Sequence, residues 1–176
     1  MVASLTSPNT DNYYVGKGKV YIKLSTDGEY VDIGNVPEFE FTPGIEKLEH
    51  FSSRAGVKSK DKSIVLSKSA TLKMVMEEWT ARNLSLALLG VADETDPSAV
   101  TIDILRDNVI TAAIKFVGEN EVGPKWTFEF PQVEFSPSAA INPISDEWGQ
   151  IEVAGEVIYQ ELSDSFGTAT GDFSAS

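Results

Sequence analysis

Apolar and polar residues alternate with a period of two through much of this 176-residue chain, the spacing of strands with one covered face. GKVYIKLS sets Val20, Ile22 and Leu24 against Tyr21 and Lys23, and Asp27-Gly28 then reads as a hairpin turn into EYVDIG. VPEFEFTPG places Glu38 and Glu40 on one face and Phe39 and Phe41 on the other, before Pro43-Gly44 interrupts it. SATLKMVMEEW predicts a long strand with Leu72, Met74 and Met76 opposite Lys73, Val75 and Glu77. VTIDILR and VITAAIKF predict a hairpin around Asp107-Asn108. Trp126, Phe128 and Phe130 share a face until Pro131 breaks the ladder. Val133 and Phe135 resume in shifted phase, which predicts a bulge or an edge. GQIEVAGEVIYQ adds Ile151 and Val153 on one side, with Gly155 suited to a bend or a close backbone approach.

The period changes once. TARNLSLALLG fits a short helix: Thr80 caps its N-terminus, Ala81, Leu84 and Leu88 form a stripe, and Gly90 suits the left-handed position past the end. Leu86, Ala87 and Leu89 widen the apolar coverage, so Leu84, Leu86, Leu88 and Leu89 are expected to be buried against a sheet or a neighbouring subunit. About eight strand-like runs and one helix define a mostly β chain, a β-sandwich or curled sheet with one flanking α-helix.

Charge changes this picture at one place. Residues 51–75 hold six basic side chains against Asp61 alone, a local +5 in a chain of net charge −13, leaving −18 on the remainder. A basic arm on an acidic β-domain suggests a subunit reaching onto another copy, because such charges attract and steer docking. Arg54, Lys58, Lys60 and Lys62 are its candidate contacts, and a segment this polar is expected to order only on docking. The division follows: a flexible arm over 1–12, a β-domain over 13–162 with the assembly arm at about 46–70, and a flexible Ser/Gly/Thr-rich tail over 163–176.

Candidate chemistry adds little. The absence of cysteine removes disulfides, thiol nucleophiles and thiolate metal sites. No apolar run nears the roughly 20 residues that cross a bilayer, and the first residues lack a secretion signal's basic cluster and apolar core. The expectation is a soluble chain. Negative charge opposes tight binding of nucleic acid, which depends on neutralising phosphates. His50, the single histidine, has no triad-like neighbours and reads as structural or solvent-facing. Glutamate pairs such as Glu38 with Glu40 or Glu77 with Glu78 could serve a glycosidase but read as solvated strand faces. Gly16-Lys17-Gly18-Lys19 lacks Walker spacing, and Asp93, Glu94 and Asp96 miss the calcium-loop pattern. No catalytic residue, cofactor or metal is implied. Exposed tryptophans such as Trp126 or Trp148 would instead suit a carbohydrate-binding module.

The order of DIGNVPEFEFTPGIEKLEHFSS, a Lys-rich arm ending KSKDKSIV, a strand leading to EEWTARNLSLALLG, and a late FPQVEFSPSAAINPISDEWGQIEVAGEVI resembles the tail tube proteins of long, non-contractile-tailed bacteriophages, over roughly residues 13–160. The resemblance implies a structural virion protein, assembled in the host bacterial cytoplasm, whose copies form six-membered rings that stack into a hollow tube. It implies a tape-measure protein and tail-tip or terminator proteins as further partners. Genomic DNA would pass through the lumen without tight binding. A lumen lined with carboxylates repels phosphates, and alternation offers Glu38, Glu40, Glu129 and Glu134 as candidates without choosing among them. A different virion or fibre structural protein is the neighbouring alternative.

Overall fold

The alternating segments assemble into one eight-stranded antiparallel sheet plus a two-stranded ribbon. The structure, a computed structural model, describes residues 7–174 other than 55, 94 and 97. Expectations for residues 1–6, Glu94 and 175–176 therefore lie outside the described residues. The strands are β1 (Lys17–Leu24), β2 (Val31–Asp32), β3 (Glu38–Ser52), β4 (Ser59–Met76), β5 (Val91–Asp93), β6 (Thr101–Asp103), β7 (Ile110–Glu119), β8 (Lys125–Ser136), β9 (Ile151–Val157) and β10 (Thr168–Asp172), with helix α1 at Ala81–Leu88. The large sheet runs β2-β1-β7-β8-β9-β4-β3, and β10 joins the free part of the β8 edge.

The sheet rolls around its apolar face. Phe39 on β3 stacks on Phe116 of β7 at 5.2 Å between centroids, although three strands separate them in the sheet. Phe41 meets Phe130 at 4.9 Å. Inside lie Val20, Ile22, Leu72, Met74, Met76, Ile114, Phe130, Val133, Phe135, Ile151 and Val153, all buried as their alternation predicts. Full burial of one such aliphatic or aromatic side chain stabilises the fold by about 1.5–3 kcal/mol. Mostly β architecture with one flanking helix is what the pattern anticipates.

Helix α1 closes one end of this core. The Thr80 hydroxyl accepts from the Asn83 amide at 3.2 Å, the expected N-cap. The left-handed residue at the other end is Leu89 (φ 46°, ψ 45°) and not Gly90. Gly90 has another reason to be glycine: a Cβ there would stand 2.5 Å from Ile102 Cγ2 and 2.7 Å from the Asp103 carbonyl oxygen. Leu86 and Leu89 are buried, whereas Leu84 and Leu88 are half-buried, so the expectation of four buried leucines is corrected to two. Asn83, buried in the first turn, donates to the carbonyls of Ile33 (3.0 Å) and Glu78 (2.9 Å) and ties the helix to two loops.

Three expectations are corrected. The hairpin around Asp107-Asn108 does not form: β6 pairs with β5, and β7 pairs with β1 and β8. Instead the chain after β6 turns at Leu105 (φ 55°), and the amides of Leu105 and Asp107 bond the Leu88 and Leu89 carbonyls at 2.9 and 3.0 Å. Those carbonyls at the helix end have no partner within the helix, which makes them available. The tail read as flexible over 163–176 contains β10, paired from Thr168↔Glu129 to Asp172↔Lys125. Its small residues serve close packing, since a Cβ at Gly171 would stand 3.1 Å from the Trp126 ring, and Phe173 meets that ring edge-on. The arm expected to lack structure before docking is a regular hairpin in this single chain, paired from Glu38↔Val75 to Ser52↔Ser59. Two bulges, between Glu46 and Lys47 and between His50 and Phe51, keep its register despite the unequal strand lengths.

Candidate assembly surfaces

The hairpin leaves the body of the sheet where β9 stops pairing with β4, at Thr71↔Glu156. Beyond that point neither face of the ribbon is covered, and every residue from Ser59 to Ser69 is exposed. Register places Leu48 opposite Ile64 on one face and Lys47 opposite Val65 on the other, with Leu66 at the bulge. Ile45, Leu48, Phe51, Ile64, Val65 and Leu66 are all exposed. A two-stranded ribbon alone is marginal in water, and exposed apolar side chains in series mark a surface that meets another molecule.

Charge on the hairpin is distributed less simply than composition suggests. Lys60 pairs with Glu49 across the strands, and His50 Nδ1 lies 2.6 Å from Asp61 Oδ1. Arg54, Lys58 and Lys62 have no ion pair among the described residues. Three of the four candidate contacts thus carry charge not already used inside the hairpin. His50 is exposed, as expected.

All four candidate glutamates fall on one face of the sheet. Glu40 is opposite Lys73, Lys73 opposite Ala154 and Ala154 opposite Ser136, which puts Glu38 and Glu134 on the same side. Glu129 should alternate to the other side, being five residues from Glu134. It does not, because β8 spends three residues, 130 to 133, where β7 spends two, 112 to 114. The bulge at Pro131 and Gln132 restores the phase, so Glu129 opposite Lys115 and Glu134 opposite Thr111 share a face.

Sequence reasoning missed two members of this face. Glu152 and Glu156 on β9 join it, with Glu156 directly opposite Glu134. Their alternation with Ile151, Val153 and Val157 was a sufficient signal. Lys73 Nζ bridges Glu38 (3.1 Å) and Glu152 (3.3 Å), and those two carboxylates hold its ammonium pKa up. Lys115 lies 2.6 Å from Glu129, with the same consequence. Glu40, Glu134 and Glu156 have no cation partner among the described residues. Directly opposed like charges are unfavourable within a sheet, so the Glu134–Glu156 pair costs some stability; the same face also carries Lys19 and Lys23 on β1.

Other candidates resolve more plainly. Trp126 is half-buried against Phe173, whereas Trp148 is 91% exposed and borders a hollow of about 400 Å³ with Trp79, Glu77 and Asn142. Asp93 and Asp96 accept from Thr95 and Ser98, and those side-chain hydrogen bonds lower both carboxyl pKa values. No group of three metal-ligating side chains is present among the described residues. No helix among them is long and apolar enough to cross a membrane.

The fold is thus an antiparallel β-roll with one helix and a projecting hairpin. The chain belongs to the family described as "Protein of unknown function UCP028589", whose profile matches residues 13–114 and so includes the hairpin and α1. No curated protein matches the chain. Among solved structures it is similar to a chain of the "Cryo-EM structure of the anti-feeding prophage (AFP) baseplate, 6-fold symmetrised", at 10% identity and a TM-score of 0.48, over 94% of this chain and 97% of that one. That likeness is too distant to carry a functional argument.

Proposed function

We propose that this chain is a structural virion subunit, a tail tube protein of the long, non-contractile-tailed phage type, whose copies close into six-membered rings that stack into a hollow tube. The observation that carries the reading is the free-standing hairpin, with apolar residues on both faces and three unpaired cations near its tip. The quoted sequence resemblance supports it independently. In the assembled tube the face bearing Glu38, Glu40, Glu129, Glu134, Glu152 and Glu156 lines the lumen, where carboxylates repel the phosphates of passing DNA. The hairpin packs on a neighbouring copy and shields there the apolar residues it exposes alone. Pairing of strand edges between copies removes the open edge of β3.

Negative-stain electron microscopy of the purified chain at high concentration tests this, beside a variant in which residues 52–62 are replaced by a short turn. Hollow, regularly striated tubes or stacked rings are expected from the full chain, and a folded monomer from the deletion. Tubes of normal length from the deletion would overturn the role of the hairpin. A wild-type chain that remains monomeric at every concentration would favour the second reading, a carbohydrate-binding module. The exposed Trp148 beside Trp79 and Glu77 is the observation that favours it, and saturable quenching of tryptophan fluorescence by an oligosaccharide would support it.

A further inference from the structure

A groove of about 600 Å³ opens between the end of β1, helix α1 and the start of β7. Its floor is aliphatic, formed by Ile22, Leu24, Leu86 and Ile110. Ser85 Oγ stands in its wall, buried and without a hydrogen-bond partner among the described residues. The lining carries Asp27, held by Arg82 at 2.6 Å, and Asp107, which has no cation partner among the described residues; Asp93, likewise without one, follows the lining residue Ala92.

The hairpin tip carries the opposite charge around an exposed apolar residue. Val57 is 82% exposed, and Arg54 and Lys58 stand on either side of it without ion pairs. The flat acidic face of the sheet offers charge without a hollow, whereas the groove offers both.

We propose that the groove beside α1 receives the hairpin tip of a second copy of this chain. Val57 rests on the aliphatic floor, and Arg54 and Lys58 meet Asp107 and Asp93. The inference rests on the reading of the chain as a self-assembling subunit and adds the receiving site, which that reading leaves unnamed. A tip-to-groove contact joins two different surfaces, so each copy presents one of each, and the contact propagates from copy to copy in place of stopping at a pair. Opposite charges at the two surfaces speed the encounter and make it sensitive to salt.

The lack of cysteine in the chain permits a direct test. Full-length Val57→Cys chains and Ala92→Cys chains carrying an added affinity tag are mixed and oxidised, and the mixed dimer, intermediate in mass between the two homodimers, is resolved by non-reducing electrophoresis, with circular dichroism confirming that each chain is folded. A disulfide requires Cα atoms within about 4.4–6.8 Å, so a mixed dimer reports the tip in the groove. We expect a mixed dimer in high yield at low salt. Adding R54E and K58E to the first chain lowers the yield about tenfold, and D93K with D107K in its partner restores it. No mixed dimer from chains whose wild type forms tubes overturns the groove and leaves the tube reading intact. A mixed dimer from a wild type that never forms tubes does the reverse. A yield indifferent to charge reversal overturns the proposal as well.

Discussion

The two halves of β4 are one continuous strand on two different supports. From Thr71 to Val75 it has a neighbour on each side, and this end of the strand buries Ala70, Leu72, Met74 and Met76 in the rolled core. From Ser59 to Ser69 it has β3 alone, and every side chain is exposed. Pairing with β3 runs through both halves, so the contrast shows what a third strand and a core add. The body owes its stability to burial. The hairpin is held by its ladder and by the register imposed at its root, and it keeps its apolar side chains available.

That contrast predicts the largest effect inside the roll. Phe135 is fully buried against β7 and β9. Phe135→Ala is expected to cost about 3–5 kcal/mol, lost transfer energy plus a cavity, measured as a shifted midpoint in urea. A cost below about 1 kcal/mol would mean that the roll is not the cooperative unit.

A smaller effect is expected where the roll is pinned to its helix. Arg82 donates to Asp27, and that hydrogen bond, ahead of all other influences, holds the Asp27 carboxyl below its ordinary value. A depressed folded pKa gives stability that is complete above the unfolded value, near 3.9, and is lost as pH falls through the folded one. Asp27→Asn should cost about 1 kcal/mol at pH 6, the scale of a partly exposed ion pair. The difference from wild type should shrink as the pH is lowered from 4 to 2. Urea titrations at several pH values measure it, and a constant difference would assign the loss to the turn and not to the charge.

The smallest effect is expected in the hairpin. Leu48→Ala with Ile64→Ala removes an exposed cross-strand pair and should change monomer stability by less than about 0.5 kcal/mol, while greatly reducing tube formation seen by light scattering. A large thermal destabilisation of the monomer would erase the distinction between the two regions.

Much of the body was legible because its alternation is local. Each of Leu72, Met74 and Met76 announces its face by its neighbours, and Thr80 announces the helix start. What was not legible depends on partners distant in sequence. Nothing near Leu105 signals that its amide completes the end of α1, so VTIDILR and VITAAIKF read as a hairpin with each other. Gly167, Gly171 and the threonines of β10 read as a loose tail because their partners on β8, among them Phe130 beside Gly167 and the Trp126 ring beside Gly171, lie about 40 positions earlier. Among the acidic residues, the shared face was hidden by Pro131, since counting reveals a break in phase but not that β7 runs on unbroken beside it. The receiving groove is assembled from β1, α1 and β7, which no window of sequence brings together.

The bulge at Pro131 and Gln132 has a consequence for how this sequence can drift. Deleting one of those two residues would leave Phe130 and Val133 two positions apart, a regular alternation with every face unchanged, whereas a deletion at Val133 or Glu134 would send Phe135 outward while β7 and β9 kept their own phases. One codon lost in the tip between Ser53 and Lys58 would rotate nothing, because neither strand has a buried side to lose. Lineages of this protein should therefore differ in length at the tip, tolerate the loss of one residue at Pro131-Gln132, and be invariant in length across Val133 to Phe135.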